Sequence, residues 1–231
     1  MKKELLVLTL ALAACSPSED DLIGAAQLCV DKASPSEAYS CIEPIRHINK
    51  RSANIVKCSA GFAAEGFGKG QKLVAANREL DDPAKGSPSF LGLMTFASKT
   101  TPDQNRQFAK EVDAYCQGTG KPVYDLLSAM SLSATTISAV GGLNWDKNSP
   151  PNRDDIRSAI SNMLATRSDP QTAEGVREIG RLVLRMVVSG CQTDRDIAPR
   201  LCERVESALN ADPGNKDADT VGDRALEAWR Q

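Results

Sequence analysis

Cys29, Cys41, Cys58, Cys116, Cys191 and Cys202 constrain this chain more than any other feature of it. The apolar residues around them recur at helical spacing, and Cys41, Cys58, Cys116 and Cys202 fall on the apolar stripes themselves. A cysteine on such a stripe points at whatever the helix packs against. The arrangement therefore predicts an all-α fold, a disulfide-stapled helical bundle or irregular helical array. There is no C-x-x-C, so neither a zinc knuckle nor a thioredoxin-type redox pair is spelled out. Six cysteines admit many connectivities and sequence does not choose among them. The simplest set joins neighbours, because short loops close at the least entropic cost: Cys29 with Cys41, Cys58 with Cys116, and Cys191 with Cys202. The last pair closes the shortest loop and would stabilise by about 2 to 3 kcal/mol in the chain-entropy argument.

The helical reading rests on end signals as well as on period. Thr101-Pro102-Asp103-Gln104 supplies an N-cap, a proline at the first helical position and a capping-box glutamine ahead of Phe108, Val112, Tyr115 and Cys116. Gly118 is placed to end that helix in the usual way. Ser34 and Glu37 repeat the device before Cys41 and Ile42, with Pro44 set to kink or stop the turn. Residues 52–66 carry Ile55, Cys58, Ser59 and Phe62 along one side, and Asn152 with Asp155 announces Ile156, Ile160, Met163 and Leu164. A longer stripe of Ala173, Val176, Ile179, Gly180, Val183, Met186 and Val187 stops at Gly190, and another holds Ile197, Leu201, Cys202, Val205 and Leu209. No run alternates as a half-buried strand must. Residues 80–88 and 142–153 are rich in Pro, Gly, Asn and Asp and read as loops, the second a candidate divide within a helical domain spanning 22–231. The ALNADPG stretch at 208–214 ends as a tetratricopeptide repeat does, but the frame fails further back, at Arg185 and Ser189.

Residues 1–15, MKKELLVLTLALAAC, place Lys2 and Lys3 ahead of an uncharged run from Leu5 to Ala14 that is far too short to span a bilayer. Leu12-Ala13-Ala14-Cys15 resembles the lipobox of bacterial lipoproteins, which implies cleavage before Cys15 and lipidation of its sulfur. The resemblance covers the leader alone. It implies a signal peptide over 1–14, a lipidated tether over 15–21, and attachment by several acyl chains, each buried methylene contributing about 0.8 kcal/mol. Ser16 stands where such lipoproteins of double-membrane bacteria carry aspartate when retained in the inner membrane, so the outer membrane is the expected address. Export also supplies the oxidising compartment that disulfides need.

With 28 Lys plus Arg against 30 Asp plus Glu, the chain lacks the basic excess that nucleic acid demands, and no nucleic-acid partner is expected. Aromatic residues at 4% leave few rings on which sugars or bases could stack. Gly66-Phe67-Gly68-Lys69-Gly70 imitates a phosphate loop but has Gly70 where Ser or Thr belongs, Ala63 in place of the first glycine, and a helix before it instead of a strand. His47 is the only histidine, too few for a multi-histidine metal site, and no G-x-S-x-G elbow accompanies it. Counting a calcium loop from Asp146 puts Pro151 and Arg157 where glycine and glutamate are required. No metal or cofactor is expected, and no catalytic residue is assigned.

Arg177, Arg181 and Arg185 recur every four residues and form a candidate interaction stripe for anionic headgroups or an acidic partner, although Glu174 and Glu178 interleave with them. The leading expectation is a non-catalytic lipoprotein, held in the outer membrane by its lipid anchor, that binds or organises another envelope component, such as a protein partner. The alternatives are an envelope hydrolase working through paired carboxylates, which local spacing would not reveal, and a surface inhibitor or exclusion lipoprotein.

Overall fold

The computed structural model describes residues 17–81, 86–146, 148–192 and 217–230, together with Cys202, Glu203, Val205, Glu206 and Leu209. Among them the chain is helical with no sheet; the only bridge joins Asp146 to Ser149 across a turn. The helices are α1 (Glu19–Lys32), α2 (Pro35–Ala38), α3 (Arg51–Ala64), α4 (Gln71–Asp81), α5 (Gly86–Met94), α6 (Pro102–Gln117), α7 (Pro122–Val140), α8 (Arg153–Ala165), α9 (Pro170–Met186) and α10 (Ala218–Arg230). A 3-10 turn, Tyr39–Ile45, continues α2, and a π-type turn, Val187–Cys191, continues α9.

The N-caps read from sequence are made, but the expected capping-box glutamine is not: the Gln104 side chain accepts from Thr100 Oγ1 at 2.6 Å instead. Thr101 accepts the Gln104 amide at the start of α6, and Asn152 and Asp155 close a reciprocal capping box on α8. Ser18 with Asp21 builds another on α1, so the helix begins at Glu19, inside the segment expected to be a tether through residue 21. Gly118 ends α6 as expected and does so in the right-handed region, at φ −64°. A Cβ there would displace the Asn54 side chain, whose amide lies 3.4 Å from the Gly118 carbonyl oxygen. The expected loop over 80–88 is also shorter than its composition suggests. Helix α4 runs through Asp81 and α5 starts at Gly86, with Pro88 in the first turn, where its missing N–H costs nothing.

All three disulfides join the neighbours expected. Cys29–Cys41 ties α1 to the 3-10 turn, Cys58–Cys116 ties α3 to α6, and Cys191–Cys202 ties the π-type turn to the segment that follows. Two apolar clusters result. Ile23, Ala26, Val30, Ile42, Ile45, Ile48 and Val56 form a small N-terminal one around the first disulfide. The main core includes Phe62, Phe96, Phe108, Leu126 and Ile137 together with Ile156, Ile160, Ile179 and Leu226. It therefore runs across residues 142–153, and the two clusters meet near α3 rather than at that loop.

Helix α7 lies at the centre, packed on α5, α6, α8 and α9. It is long and apolar enough to cross a membrane, yet two thirds of it is buried within the protein. Its stripe is hard to see in sequence because Ser128, Ser131, Ser133, Thr135, Thr136 and Ser138 are buried alongside the apolar residues. Short hydroxyl side chains let neighbouring helices come close and return hydrogen bonds to their own backbone, as Thr135 does to the Ser131 carbonyl at 2.7 Å and Ser138 to Ala134 at 3.0 Å. Behind α7, α9 and α10 meet through glycine. A Cβ on Gly180 would strike the Ala218 carbonyl, and one on Gly222 would strike that of Val176.

A candidate ligand cavity

A cavity of about 650 Å³ opens between α2, the C-terminus of α3, the start of α4, α5 and the loop after it, and Pro150-Pro151. Its wall at residues 95–99 has no regular structure, yet each amide in it is bonded. The Thr95 N–H donates to the Leu91 carbonyl at 3.0 Å. Phe96 N–H donates to Thr135 Oγ1 at 3.0 Å, Ala97 and Ser98 N–H to the two carboxylate oxygens of Glu65 at 2.7 and 3.2 Å, and Lys99 N–H to Asn105 Oδ1 at 2.8 Å. The Trp145 indole N–H closes the set by donating to the Phe96 carbonyl at 3.0 Å. Side chains from α3, α6 and α7 thus do for this loop what a helix does for its own backbone, and the wall is built before any ligand arrives.

Behind the wall runs a row of rings, Tyr39, Phe108, Phe96, Phe62 and Phe67, with successive centroids 4.6, 5.8, 5.7 and 5.4 Å apart. A lysine stands at each end. Lys99 Nζ lies 4.1 Å from the Phe108 centroid and 5.6 Å from that of Tyr39, and Lys72 Nζ lies 4.3 Å from that of Phe67. Ring faces attract cations, which offsets part of the cost of withdrawing the charges from water. Lys72 also donates to the Glu65 carbonyl at 3.1 Å. Burial nevertheless pulls its pKa below the ordinary lysine value, with the nearby Glu65 carboxylate opposing the shift. Burial, with Glu111 close by, pushes the Tyr39 phenol the other way, so that it stays protonated. Neither Lys72 nor Lys99 has a carboxylate at ion-pair distance among the described residues. Ser98 Oγ, also in the lining residues, is buried without a hydrogen-bond partner. Leu93, Ala64, Ala97, Pro150 and Pro151 supply apolar walls.

The arginine stripe is placed elsewhere and is neutralised within the fold. Arg177 pairs with Glu174 at 2.9 Å and Asp219 at 3.0 Å, and Arg181 pairs with Glu174 at 2.7 Å. Arg185 is drawn inward to Asp113, which also accepts from Ser128 at 2.6 Å, and its Nε lies 3.1 Å from Asp125. Beside it, Glu178 takes Arg106 at 2.5 Å and Lys110 at 2.8 Å. Burial raises the Glu178 pKa, but the hydrogen bonds and charges of Arg106 and Lys110 outweigh it and hold the carboxyl below its usual range. This chain of charges joins α6, α7 and α9.

The remaining sequence candidates fall into structural roles or outside the description. Gly66 and Gly70 take positive φ, +83° and +69°, in the link between α3 and α4, and His47 is exposed on the turn after the 3-10 segment. Asp146 Oδ1 accepts the amides of Asn148 at 2.8 Å and Ser149 at 3.0 Å, which makes it a turn former. Cys15 lies outside the described residues, as does Ile197 of the stripe before Cys202. Sequence reasoning missed the cavity lysines. Lys72 and Lys99 belong to no local motif, and what places both on one cavity is the path of α4 and α5 and the anchoring of residues 95–99. No protein-family model matches the chain, and no curated protein or solved structure matches it either.

Proposed function

We propose that this chain is a bacterial lipoprotein, cleaved after Ala14, acylated on Cys15 and held in the outer membrane, whose helical domain binds a component of the cell envelope without chemically changing it. The observation that carries the binding role is the preformed cavity, with apolar walls and two lysines that have no carboxylate at ion-pair distance among the described residues. Such concave, mostly apolar sites with a few placed polar groups are where small molecules bind. The leader supports the anchor: basic start, short apolar core, small residues before the cysteine and polar residues after it.

A hydrolase working through two carboxylates has less support. Asp113 and Asp125 converge on one guanidinium, which donates to Asp113 and lies at ion-pair distance from Asp125, rather than facing each other across a cleft. The carboxylate at the cavity, Glu65, has both oxygens engaged by backbone amides.

Replacing Cys15 by Ser tests the anchor directly. The expected result is that the protein leaves the membrane pellet and appears in the soluble periplasmic fraction, while the wild type stays with outer-membrane markers. Retention of Cys15→Ser at wild-type levels would remove the lipoprotein reading.

A further inference from the structure

Taking the cavity as the binding site, as the preceding reading does, we infer that its ligand is an amphipathic monoanion: an apolar alkyl or aryl body bearing a single acidic head drawn in by the lysines of the lining, Lys72 and Lys99. The charge balance points there first. Arg106, Lys110, Arg177, Arg181 and Arg185 are all ion-paired, whereas among the described residues the two cavity lysines meet ring faces and, for Lys72, a main-chain carbonyl, with no carboxylate at ion-pair distance. Glu65 is the carboxylate of the lining, and its oxygens are already committed to the Ala97 and Ser98 amides. Two ammonium groups against one carboxylate leave a single positive charge, which one acidic head would balance. Lys72 also lies in the first turn of α4, where the helix end adds a partial positive charge of the same sign.

The apolar walls limit the rest of the ligand. Ala64, Leu93, Ala97, Pro150 and Pro151 offer no partner for a second charge, and Ser36, Tyr39 and Ser98 add only isolated hydroxyls, so the body of the ligand is uncharged and mostly apolar. A volume of about 650 Å³ suits a small amphiphile rather than a peptide or polymer. Because side chains fix the amides of residues 95–99, the backbone of Lys99 need not be ordered on binding, which lowers the entropic cost of association.

The test uses the purified full chain carrying Cys15→Ser, studied without detergent by isothermal titration calorimetry. Dodecanoate, dodecan-1-ol and dodecyltrimethylammonium are compared below their micellar concentrations, and 4-phenylbutyrate is compared with 4-phenylbutan-1-ol. At least one acid should bind about ten-fold more tightly than its alcohol, with the cationic amphiphile weakest, and the better acid identifies the body as alkyl or aryl. The double variant Lys72→Gln/Lys99→Gln should lower the affinity of that acid by about ten-fold or more and leave the alcohol unchanged, while Lys99→Arg retains binding. Circular dichroism melting accompanies each variant. If the double variant does not fold, Lys99→Gln alone should show the same preference loss, about several-fold. An alcohol that binds as tightly as its acid, or variants that leave the acid unaffected, would overturn the acidic head while leaving a binding cavity in place. Binding by none of the five probes would overturn both.

Discussion

At the scale of single residues, the two cavity lysines and the arginine stripe show how differently like charges can be used. Arg185 and its neighbours are paired and hold helices together; Lys72 is withdrawn from water for little structural return. A buried charge without a full partner is a cost to stability that an apolar side chain of similar length removes. Lys72→Met should therefore raise the unfolding free energy by about 1 kcal/mol, a shift of about 2 to 4 °C in Tm for a domain of this size, while weakening any anionic ligand. The sign of its pH dependence follows from the lowered pKa of Lys72. The folded state holds that proton less tightly than the unfolded chain does, so the cost is present in full below the lowered value. It is relieved as pH rises from the lowered value toward the ordinary lysine value of about 10.4. The stability advantage of Lys72→Met should shrink over that alkaline window, as read by thermal melts at a series of pH values. An advantage that grew with pH would contradict the assignment.

At the scale of elements, helices meet in two ways in this protein. Around α7 they approach over short hydroxyl side chains, and between α9 and α10 they approach over Gly180 and Gly222. The second contact leaves no space for a methyl group, because the obstacle on each side is a main-chain carbonyl that no rotamer change can move. Gly180→Ala should thus push α10 off α9 and cost about 3 kcal/mol or more, whereas alanine is otherwise favoured over glycine inside a helix by about 1 kcal/mol. Chemical denaturation of the variant measures this; a neutral or stabilising effect would show that the two helices are not seated as described. Sequence reading caught Gly180 as a member of an apolar stripe but could not tell a packing glycine from a tolerated one, since the reason for it lies in another helix.

At the scale of the whole molecule, the disulfides set what the rest can do. Cys58–Cys116, separated by 58 positions, joins helices of the main core, and Cys191–Cys202, separated by 11, closes a local loop. In the chain-entropy argument their removal by paired alanine substitutions costs about 4 and about 3 kcal/mol respectively. Denaturant unfolding of the two double variants should keep that order. If removal of the short loop proved the more damaging, native packing around Cys191 rather than chain entropy would dominate.

The sequence by itself determined the helical class and the N-caps of α6 and α8, because each depends on residues a few positions apart; it favoured the neighbour pairing of cysteines through the ease of closing short loops, and the structure chose it. The sequence did not show α7 as the central helix, since a helix buried on all sides carries no polar face to set its period apart. Nor did it show the cavity. Glu65, Asn105 and Thr135 are far apart along the chain, and only the packing of α3, α6 and α7 makes one holder for residues 95–99 out of them. Local physics is written in local sequence; a binding site assembled from four helices exists only once their cores have closed.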